Sequence, residues 1–249
     1  MKKAVNSKRP VNLDLRTIKL PVTAYTSILH RISGVILFLG IAVLLFALDK
    51  SLSSEEGFEQ VKACLTSPLA KLVIWGLLSA LLYHLVAGVR HLVMDAGVGE
   101  TLEGGKRGSK NRHRHRGGAD RSGGGMGMVT NVTNFSRSGL YDWMAQRVSA
   151  VVLAAYVIFL LGYLIAHPNI SYADWHGLFS QGWMRIFSLL TLVALSVHAW
   201  VGMWTISTDY LTSMALGKAA TVVRFLFQAV CGMAMFAFFV WGVQILWGM

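Results

Sequence analysis

The sequence predicts an all-α membrane protein, a polytopic bundle of five transmembrane helices. Three observations support this fold class. Hydrophobic residues make up 54% of the 249 residues and charged residues only 14%, whereas soluble proteins carry roughly 25% charged residues. The mean hydropathy is +0.53. Apolar residues also gather in runs long enough to cross a bilayer, which takes about 20 residues per helix. This composition excludes a soluble enzyme and a disordered chain.

Each predicted span is an apolar run without Asp or Glu and with at most two Lys or Arg residues. The first run has no charged residue between Ser33 and Leu48. It starts too far into the chain, and runs too long, to be a signal peptide. A polar connection precedes the second run, and a polar turn beginning at His167 separates the third from the fourth. In order, the predicted spans are residues 24–48, 69–94, 143–166, 183–207 and 219–247.

A change of composition divides the chain between the second and third spans. Residues 97–140 are rich in Gly, Arg and His. Such a segment cannot bury a core, so a flexible linker is predicted there. The expected organisation is a first half with two spans, a short linker and a second half with three spans. Their boundaries are residues 1–110, 111–127 and 128–249.

The distribution of Lys and Arg predicts the orientation in the membrane. Residues 1–20 contain six of them and residues 97–140 eight, whereas residues 50–68 contain two and residues 167–181 none. Cytoplasmic connections are the basic ones in membrane proteins, so we expect a cytoplasmic N-terminus. The net charge of +11 is therefore concentrated in the connections predicted to be cytoplasmic. We expect these connections to lie beside a phospholipid membrane, and no nucleic-acid partner is predicted.

Two histidines, His84 and His198, lie deep inside predicted spans, and each begins the pattern H-x3-G-x6-D. Both spans are expected to run in the same direction, and each Asp marks the same membrane edge. At 1.5 Å per residue both imidazoles then lie about 16 Å from that edge. Two histidines at one depth on parallel helices can ligate one metal centre between them.

The glycine of each pattern, Gly88 or Gly202, lies one turn from its histidine on the same helix face. The missing side chain leaves room for a flat macrocycle. Haem b with two axial imidazoles therefore fits better than zinc, which takes three or four protein ligands. The alternative is that His84 and His198 are hydrogen-bonded packing residues, since intramembrane polar groups usually face the bundle interior.

Other polar residues near the same membrane edge are candidates for two roles. Haem propionates need cationic partners, and the arginine fork suits a carboxylate. The candidates for this role are His30, Arg31, His91 and Arg147. The carbonyl oxygens of a quinone need donors, and the candidates are Ser27, Arg31, Asp209 and Tyr210. Alternatively, the arginines reach lipid phosphates, and the Asp209–Tyr210 pair is an interfacial cap in an aromatic belt.

Longer motifs resemble a known family. Arg9-Pro10-Val11, followed by Ser27-x-x-His30-Arg31, resembles the N-terminal signature of the cytochrome b subunit of bacterial succinate dehydrogenase, and His84–Asp95 resembles its second signature. The second half, from about Met128, resembles the hydrophobic anchor subunit of the same complex. The residues that carry this second likeness are Ser136–Gly139, Arg147, His198–Trp204 and Thr208–Tyr210.

The resemblance implies a function, a cofactor and partners. It implies a membrane-anchor subunit that holds one haem b between His84 and His198 and forms a quinone site with Ser27, Arg31 and Tyr210. It also implies that the chain is not catalytic on its own. The flavoprotein and iron–sulfur subunits oxidise succinate and pass the electrons to ubiquinone. The expected location is the bacterial inner membrane.

The number of spans departs from the family pattern. Each anchor subunit in the family has three, so a fusion is expected to have six, and only five are predicted. The linker residues stand where the third span of the first half belongs. We suspect a shifted reading frame. With CGN codons for the arginines, the bases of residues 111–116, read one position later, encode Ile or Thr alternating with Val, Ala, Gly or Asp. A gene sequence with no apolar frame across codons 111–125 rejects this hypothesis.

Two other functions are open at the level of the sequence. A dihaem cytochrome b of a hydrogenase or formate dehydrogenase needs four intramembrane histidines, and only two are deep in the spans here. A transporter or a structural anchor uses its histidines to move protons or to pack. A reduced-minus-oxidised spectrum separates these functions, because only a cytochrome gives a haem band.

Overall fold

The computed structural model describes residues 22–95 and 139–248, with side chains from residue 24 onward. Across these two stretches the chain is helical and contains no strand. Five of the helices are long and apolar enough to cross a membrane. The predicted all-α fold class is therefore confirmed, and so is the prediction of a multi-pass membrane protein. The basic N-terminal segment and the predicted linker, residues 111–127, lie outside the described residues.

The five long helices match the predicted spans to within a few residues. They are numbered α1, α3, α4, α6 and α8 because shorter helices lie between them. In chain order the helices are α1 Val22–Ser53, α2 Glu55–Cys64, α3 Pro68–Asp95, α4 Gly139–Ala166, α5 Tyr172–Ser180, α6 Gly182–Tyr210, α7 Ser213–Leu216 and α8 Ala220–Trp247. A 3₁₀ turn, Gly217–Ala219, joins the last two.

The connections after the first and third spans, predicted as a polar connection and a polar turn, each contain a short capped helix. The Ser54 hydroxyl caps α2 by accepting the backbone N–H of Gly57 at 3.0 Å. Ser171 and Asp174 form a capping box at the start of α5. Such caps satisfy N–H groups that have no partner within the helix. Hydrogen bonds from the Ser171 side chain and backbone also hold the pKa of the Asp174 carboxyl below its ordinary value.

The two short helices pack together and close one end of the bundle, which we call the short-helix end. The Trp175 indole N–H donates to the Ser51 hydroxyl oxygen at 3.0 Å. The Tyr172 hydroxyl donates to the Leu52 carbonyl at 3.2 Å. Both bonds run from α5 to the end of α1, so they join the second half of the chain to the first.

Glycines let neighbouring spans approach closely. A Cβ atom added at Gly40 on α1 would lie 2.6 Å from the Leu77 side chain on α3, and one at Gly242 on α8 would lie 2.7 Å from Leu192 on α6. Small residues allow such packing in membranes, where lipid supplies no hydrophobic drive between helices. The buried core lies mainly between α1, α6 and α8, which leaves much of the surface of α3 and α4 for lipid.

The order of the helices gathers charged residues at the end of the bundle opposite the short helices. In the first half α1 packs against α3, and in the second half α4 packs against α6. The helices α1 and α4 begin at this end, and α3 and α6 finish there. We call it the paired-charge end, and it is defined by Arg31, Asp95, Arg147 and Asp209.

Candidate functional site

His84 on α3 and His198 on α6 face each other inside the bundle. Their ring centroids are 6.1 Å apart, and the ring planes meet at 77°. The helix α3 packs mainly on α1, and α6 packs on α4 and α8, so the two histidines reach toward each other from separate helix pairs. The structure thus brings together the two histidines that the shared sequence pattern placed at one depth.

A buried serine contacts each of these histidines on the Nδ1 side of its ring. His84 Nδ1 lies 3.1 Å from the Ser33 hydroxyl oxygen and 3.1 Å from the His30 carbonyl. His198 Nδ1 lies 3.2 Å from the Ser149 hydroxyl oxygen. In both rings Nδ1 is therefore engaged by the protein, whereas the contact that the described residues make to His198 Nε2 is the longer one of 3.4 Å from the Gln146 amide nitrogen.

Two more predicted histidines continue from the pair toward the paired-charge end. The His30 ring centroid lies 4.1 Å from that of His84 and 5.3 Å from that of His91. His30 Nε2 and Gln146 Oε1 are buried, and neither has a hydrogen-bond partner in the described part of the chain. Buried polar atoms are nearly always hydrogen-bonded. These two atoms therefore mark places where polar groups of a ligand fit.

The two predicted arginines each form an ion pair with an aspartate of the other half. Arg31 Nη2 lies 2.7 Å from Asp209 Oδ2, and Arg147 pairs with Asp95. Each aspartate is the last residue of an H-x3-G-x6-D pattern, so the two pairs are reciprocal and join the halves. A guanidinium has five N–H donors, which leaves donors for a second carboxylate such as a propionate.

Three of the four quinone candidates meet in one cluster at the paired-charge end. The Arg31 guanidinium carbon lies 5.4 Å from the Tyr210 ring centroid, within cation–π range, and the same guanidinium pairs with Asp209. Ser27 lies one turn earlier on α1 and is half-buried. Within residues 22–95 and 139–248 it makes no hydrogen bond to the cluster, so the structure places it nearby without a polar contact to Arg31, Asp209 or Tyr210.

Three residues at the site were not singled out from the sequence. Ser33 and Ser149 contact the two histidines, and the Gln146 amide nitrogen lies 3.4 Å from His198 Nε2. A signal for the serines is present in the sequence. Arg31-Ile-Ser33 and Arg147-Val-Ser149 place the same pattern, R-x-S, near the start of the first span of each half. An internal repeat of this kind identifies equivalent positions in the two halves.

The residues present suit a haem, in which the porphyrin supplies most of the ligands of the iron. Within the described residues no group of three or more His, Cys, Asp or Glu could hold a metal ion. A zinc site usually needs three or four protein ligands, whereas a haem iron needs only axial ones. The space beside the histidines is also open, because a Cβ atom added at Gly88 or Gly202 meets no atom within 4 Å.

Comparison with known proteins identifies the family. The model of the family described as succinate dehydrogenase/fumarate reductase transmembrane subunit matches this chain twice, over residues 5–111 and 128–240. The chain belongs to this family. The two matches lie one in each half, so both halves are related to the same kind of transmembrane subunit.

Similar proteins include both subunit types that the sequence motifs resemble. The succinate dehydrogenase hydrophobic membrane anchor subunit of Coxiella burnetii (strain RSA 493 / Nine Mile phase I) is 36% identical over 116 residues, which are 47% of this chain and 95% of that protein. The cytochrome b556 subunit of the same organism is 44% identical over 103 residues, 41% of this chain and 82% of that protein. The cytochrome b556 subunit of Paracoccus denitrificans is 38% identical over 95 residues, 38% and 73% of the two chains. The predicted resemblance to both subunit types is confirmed, and the chain is a membrane anchor of this family.

Proposed function

We propose that this chain anchors a succinate dehydrogenase in the membrane, holds one haem b between His84 and His198, and helps to form the site of ubiquinone reduction. Its family and its relatives named cytochrome b556 support this class of function. The single observation that carries the haem assignment is the facing pair of imidazoles.

The separation of the two rings fits a single metal held by both. An imidazole nitrogen lies about 1 Å from its ring centroid and binds a first-row metal at about 2 Å, so His84 and His198 would hold one haem iron between them at a centroid separation of about 6 Å. The separation of the His84 and His198 centroids is 6.1 Å. The open space at Gly88 and Gly202 supports the same assignment, since a flat ring needs room beside both helices.

When bound, haem b takes up and gives back one electron. The chain supplies the surroundings: His84 and His198, both partly buried, would hold the haem. We assign the propionate carboxylates to the polar residues between the pair and the paired-charge end. These are His30, Arg31, His91 and Arg147. The buried His30 Nε2, which has no partner within the described residues, supports this assignment because an N–H group there suits a carboxylate oxygen.

The quinone site is assigned to the cluster of Arg31, Asp209 and Tyr210 with Ser27 beside it. Reduction of a quinone to a quinol places negative charge on its carbonyl oxygens, which then take up protons. The Arg31 guanidinium and the Tyr210 hydroxyl are donors suited to those oxygens. The Asp209 side chain is 45% exposed, so it can exchange protons with water and deliver them.

The remaining parts of the enzyme are assigned to partner subunits. The flavoprotein subunit oxidises succinate, the iron–sulfur subunit passes the electrons on, and this chain is a non-catalytic membrane subunit. We expect these partners at the paired-charge end, where the quinone cluster opens. Residues 1–110 form the cytochrome b-like part and residues 128–249 the anchor-like part, and residues 111–127 link them.

The haem assignment is tested by the reduced-minus-oxidised spectrum of the complex purified with its partner subunits. We expect a sharp b-type band in the wild type that is lost in His84→Ala and in His198→Ala, because each change removes one axial ligand. His167→Ala is the matched control, since His167 is an exposed histidine at the short-helix end. The control should keep the full band.

Other outcomes of this test contradict the assignment in different ways. A wild-type complex without any haem band favours a transporter or a structural anchor, in which the histidines move protons or pack. Two bands of different midpoint potential favour a dihaem cytochrome. A full band in both His84→Ala and His198→Ala means that these residues are not the ligands.

The proposed orientation puts the N-terminus and the paired-charge end in the cytoplasm, since the basic connections lie on that side. The short-helix end then faces outward. Cys64, the last residue of α2, is exposed and Cys231 is buried. A membrane-impermeant maleimide added to intact spheroplasts should therefore label the wild type and leave Cys64→Ser unlabelled. Labelling of Cys64 only after the membranes are opened would reverse the orientation.

A further inference from the structure

Each half of the bundle holds its histidine with an equivalent serine. Ser33 on α1 and Ser149 on α4 are 5% and 4% exposed. Each serine ends an R-x-S segment and contacts the histidine on the second helix of its own half. The same unit, a serine on one span and a histidine on the next, therefore occurs twice.

The contacts in the first half determine which nitrogen of His84 carries the hydrogen. The Ser33 hydroxyl donates to the His30 carbonyl at 2.8 Å, so its oxygen is free to accept. His84 Nδ1 lies 3.1 Å from that oxygen and 3.1 Å from the same carbonyl. A carbonyl oxygen only accepts hydrogen bonds. His84 Nδ1 is therefore the donor, and its Nε2 carries the lone pair.

The second half repeats this arrangement around His198. The Ser149 hydroxyl donates to the Ala145 carbonyl at 2.6 Å, with the Gln146 carbonyl at 3.1 Å. His198 Nδ1 lies 3.2 Å from the Ser149 oxygen. The Gln146 amide nitrogen, a donor, lies 3.4 Å from His198 Nε2. Nε2 is again the acceptor and Nδ1 the donor.

We infer that Ser33 and Ser149 are paired positioning residues, which hold His84 and His198 in the Nδ1–H tautomer and so make Nε2 of each ring the ligating nitrogen. This inference rests on the proposed haem function. In the first half Ser33 acts together with the His30 carbonyl, which lies three residues before it in the same helical turn. The hydroxyl adds a second acceptor and fixes the tilt of the ring.

The contact has a chemical consequence besides geometry. An acceptor on Nδ1–H raises the basicity of the ligating nitrogen, and loss of such a partner typically lowers metal affinity about 10- to 100-fold. A more basic ligand stabilises ferric over ferrous iron, so removal of the hydroxyl should raise the haem midpoint potential. The backbone carbonyl remains in the variants, which places the expected affinity loss toward the lower end of this range.

The test uses the full complex carrying Ser33→Ala, Ser149→Ala or both, with haem transfer to apomyoglobin and a redox titration as readouts. We expect haem to leave each single variant about 10-fold faster than the wild type. The midpoint potential of the haem that remains should rise in each, and further in the double variant. Ser33→Thr and Ser149→Thr should restore both values, because threonine keeps a hydroxyl that bonds back to its own helix.

Ser196→Ala is the matched control for the loss of a serine hydroxyl. Ser196 lies on α6 near His198, and its hydroxyl donates to the Leu192 carbonyl at 2.9 Å. This control should match the wild type in transfer rate and potential. An alanine variant that assembles poorly still reports on the inference, because the potential is measured on the fraction that retains haem.

The possible failures of this inference and of the proposed function are distinguishable. Wild-type transfer rates and potentials in both serine variants would overturn the positioning role and leave the haem between His84 and His198. A wild-type complex without haem would overturn both. Equal changes in Ser33→Ala and Ser196→Ala would indicate a general packing effect and also reject the positioning role.

Discussion

Replacing Arg31 by alanine is expected to lower electron transfer from succinate to ubiquinone by about 10²- to 10³-fold, the loss typical when one preorganised donor to a developing oxyanion is removed. The Arg31 guanidinium lies 2.7 Å from Asp209 and 5.4 Å from the Tyr210 ring centroid. In the proposed quinone site it is the cationic donor. In the variant the Tyr210 hydroxyl remains, and the charge on the quinone oxygen loses its strongest partner.

The measurement compares two electron acceptors on the same purified complex. A ubiquinone analogue reports on the membrane site, and an artificial dye accepts electrons from the partner subunits directly. Arg31→Ala should lower only the first rate. Arg185→Ala is the matched control, because Arg185 lies at the start of α6, at the short-helix end, and its Nε contacts the Phe179 carbonyl at 3.4 Å. Equal loss of both rates in Arg31→Ala would indicate failed assembly and count against the quinone assignment.

Asp209→Asn separates the donor role of Arg31 from its ion pair. The two side chains are 31% and 45% exposed, and ion pairs at such sites contribute about 0–1 kcal/mol to stability. Loss of the pair alone should therefore leave the complex assembled. We expect a smaller loss of quinone reduction than in Arg31→Ala, arising from proton delivery. Equal losses would mean that the intact pair is what the site requires.

The fold class and the histidine pair were predictable because they depend on properties that run along one helix. Apolar runs of sufficient length define the spans, and a helix rises by a constant 1.5 Å per residue. The shared H-x3-G-x6-D spacing therefore placed His84 and His198 at one depth before any packing was known. Equal depth alone does not bring two side chains together. The 6.1 Å separation of the ring centroids also depends on how the helices pack.

The contacts between the two halves were not predictable from such spacing. The pairs of Arg31 with Asp209 and of Arg147 with Asp95 depend on which helix of one half lies beside which helix of the other. The contact of Ser33 with His84 depends on the packing of α1 against α3. The two short helices are a different case, because a signal was present. Ser171-x-x-Asp174 is a capping box, and reading it from the sequence would have predicted the start of α5.

Replacing Gly88 or Gly202 by leucine is expected to have a second large effect. The stability of the protein should rise slightly, whereas the affinity for haem should fall. A Cβ atom at either position meets no atom within 4 Å, so a leucine there should not disturb the bundle. In a helix interior it should even stabilise the chain slightly, since glycine is the poorer helix former by about 1 kcal/mol. The same leucine side chain would occupy the space assigned to the flat ring beside the histidine.

Gly88→Leu and Gly202→Leu are therefore expected to assemble normally and to bind haem poorly. Overpacking costs about 1–3 kcal/mol, and about 1.4 kcal/mol is tenfold in affinity, so haem binding should weaken by roughly 5- to 150-fold. Gly76→Leu is the matched control, because Gly76 lies on α3 and is equally open but precedes His84 by about two turns. The measurement is haem per complex beside the thermal unfolding midpoint. Full haem occupancy in both variants would mean that no ring lies beside these glycines, whereas haem lost together with stability would mean that the leucines disturb the bundle itself.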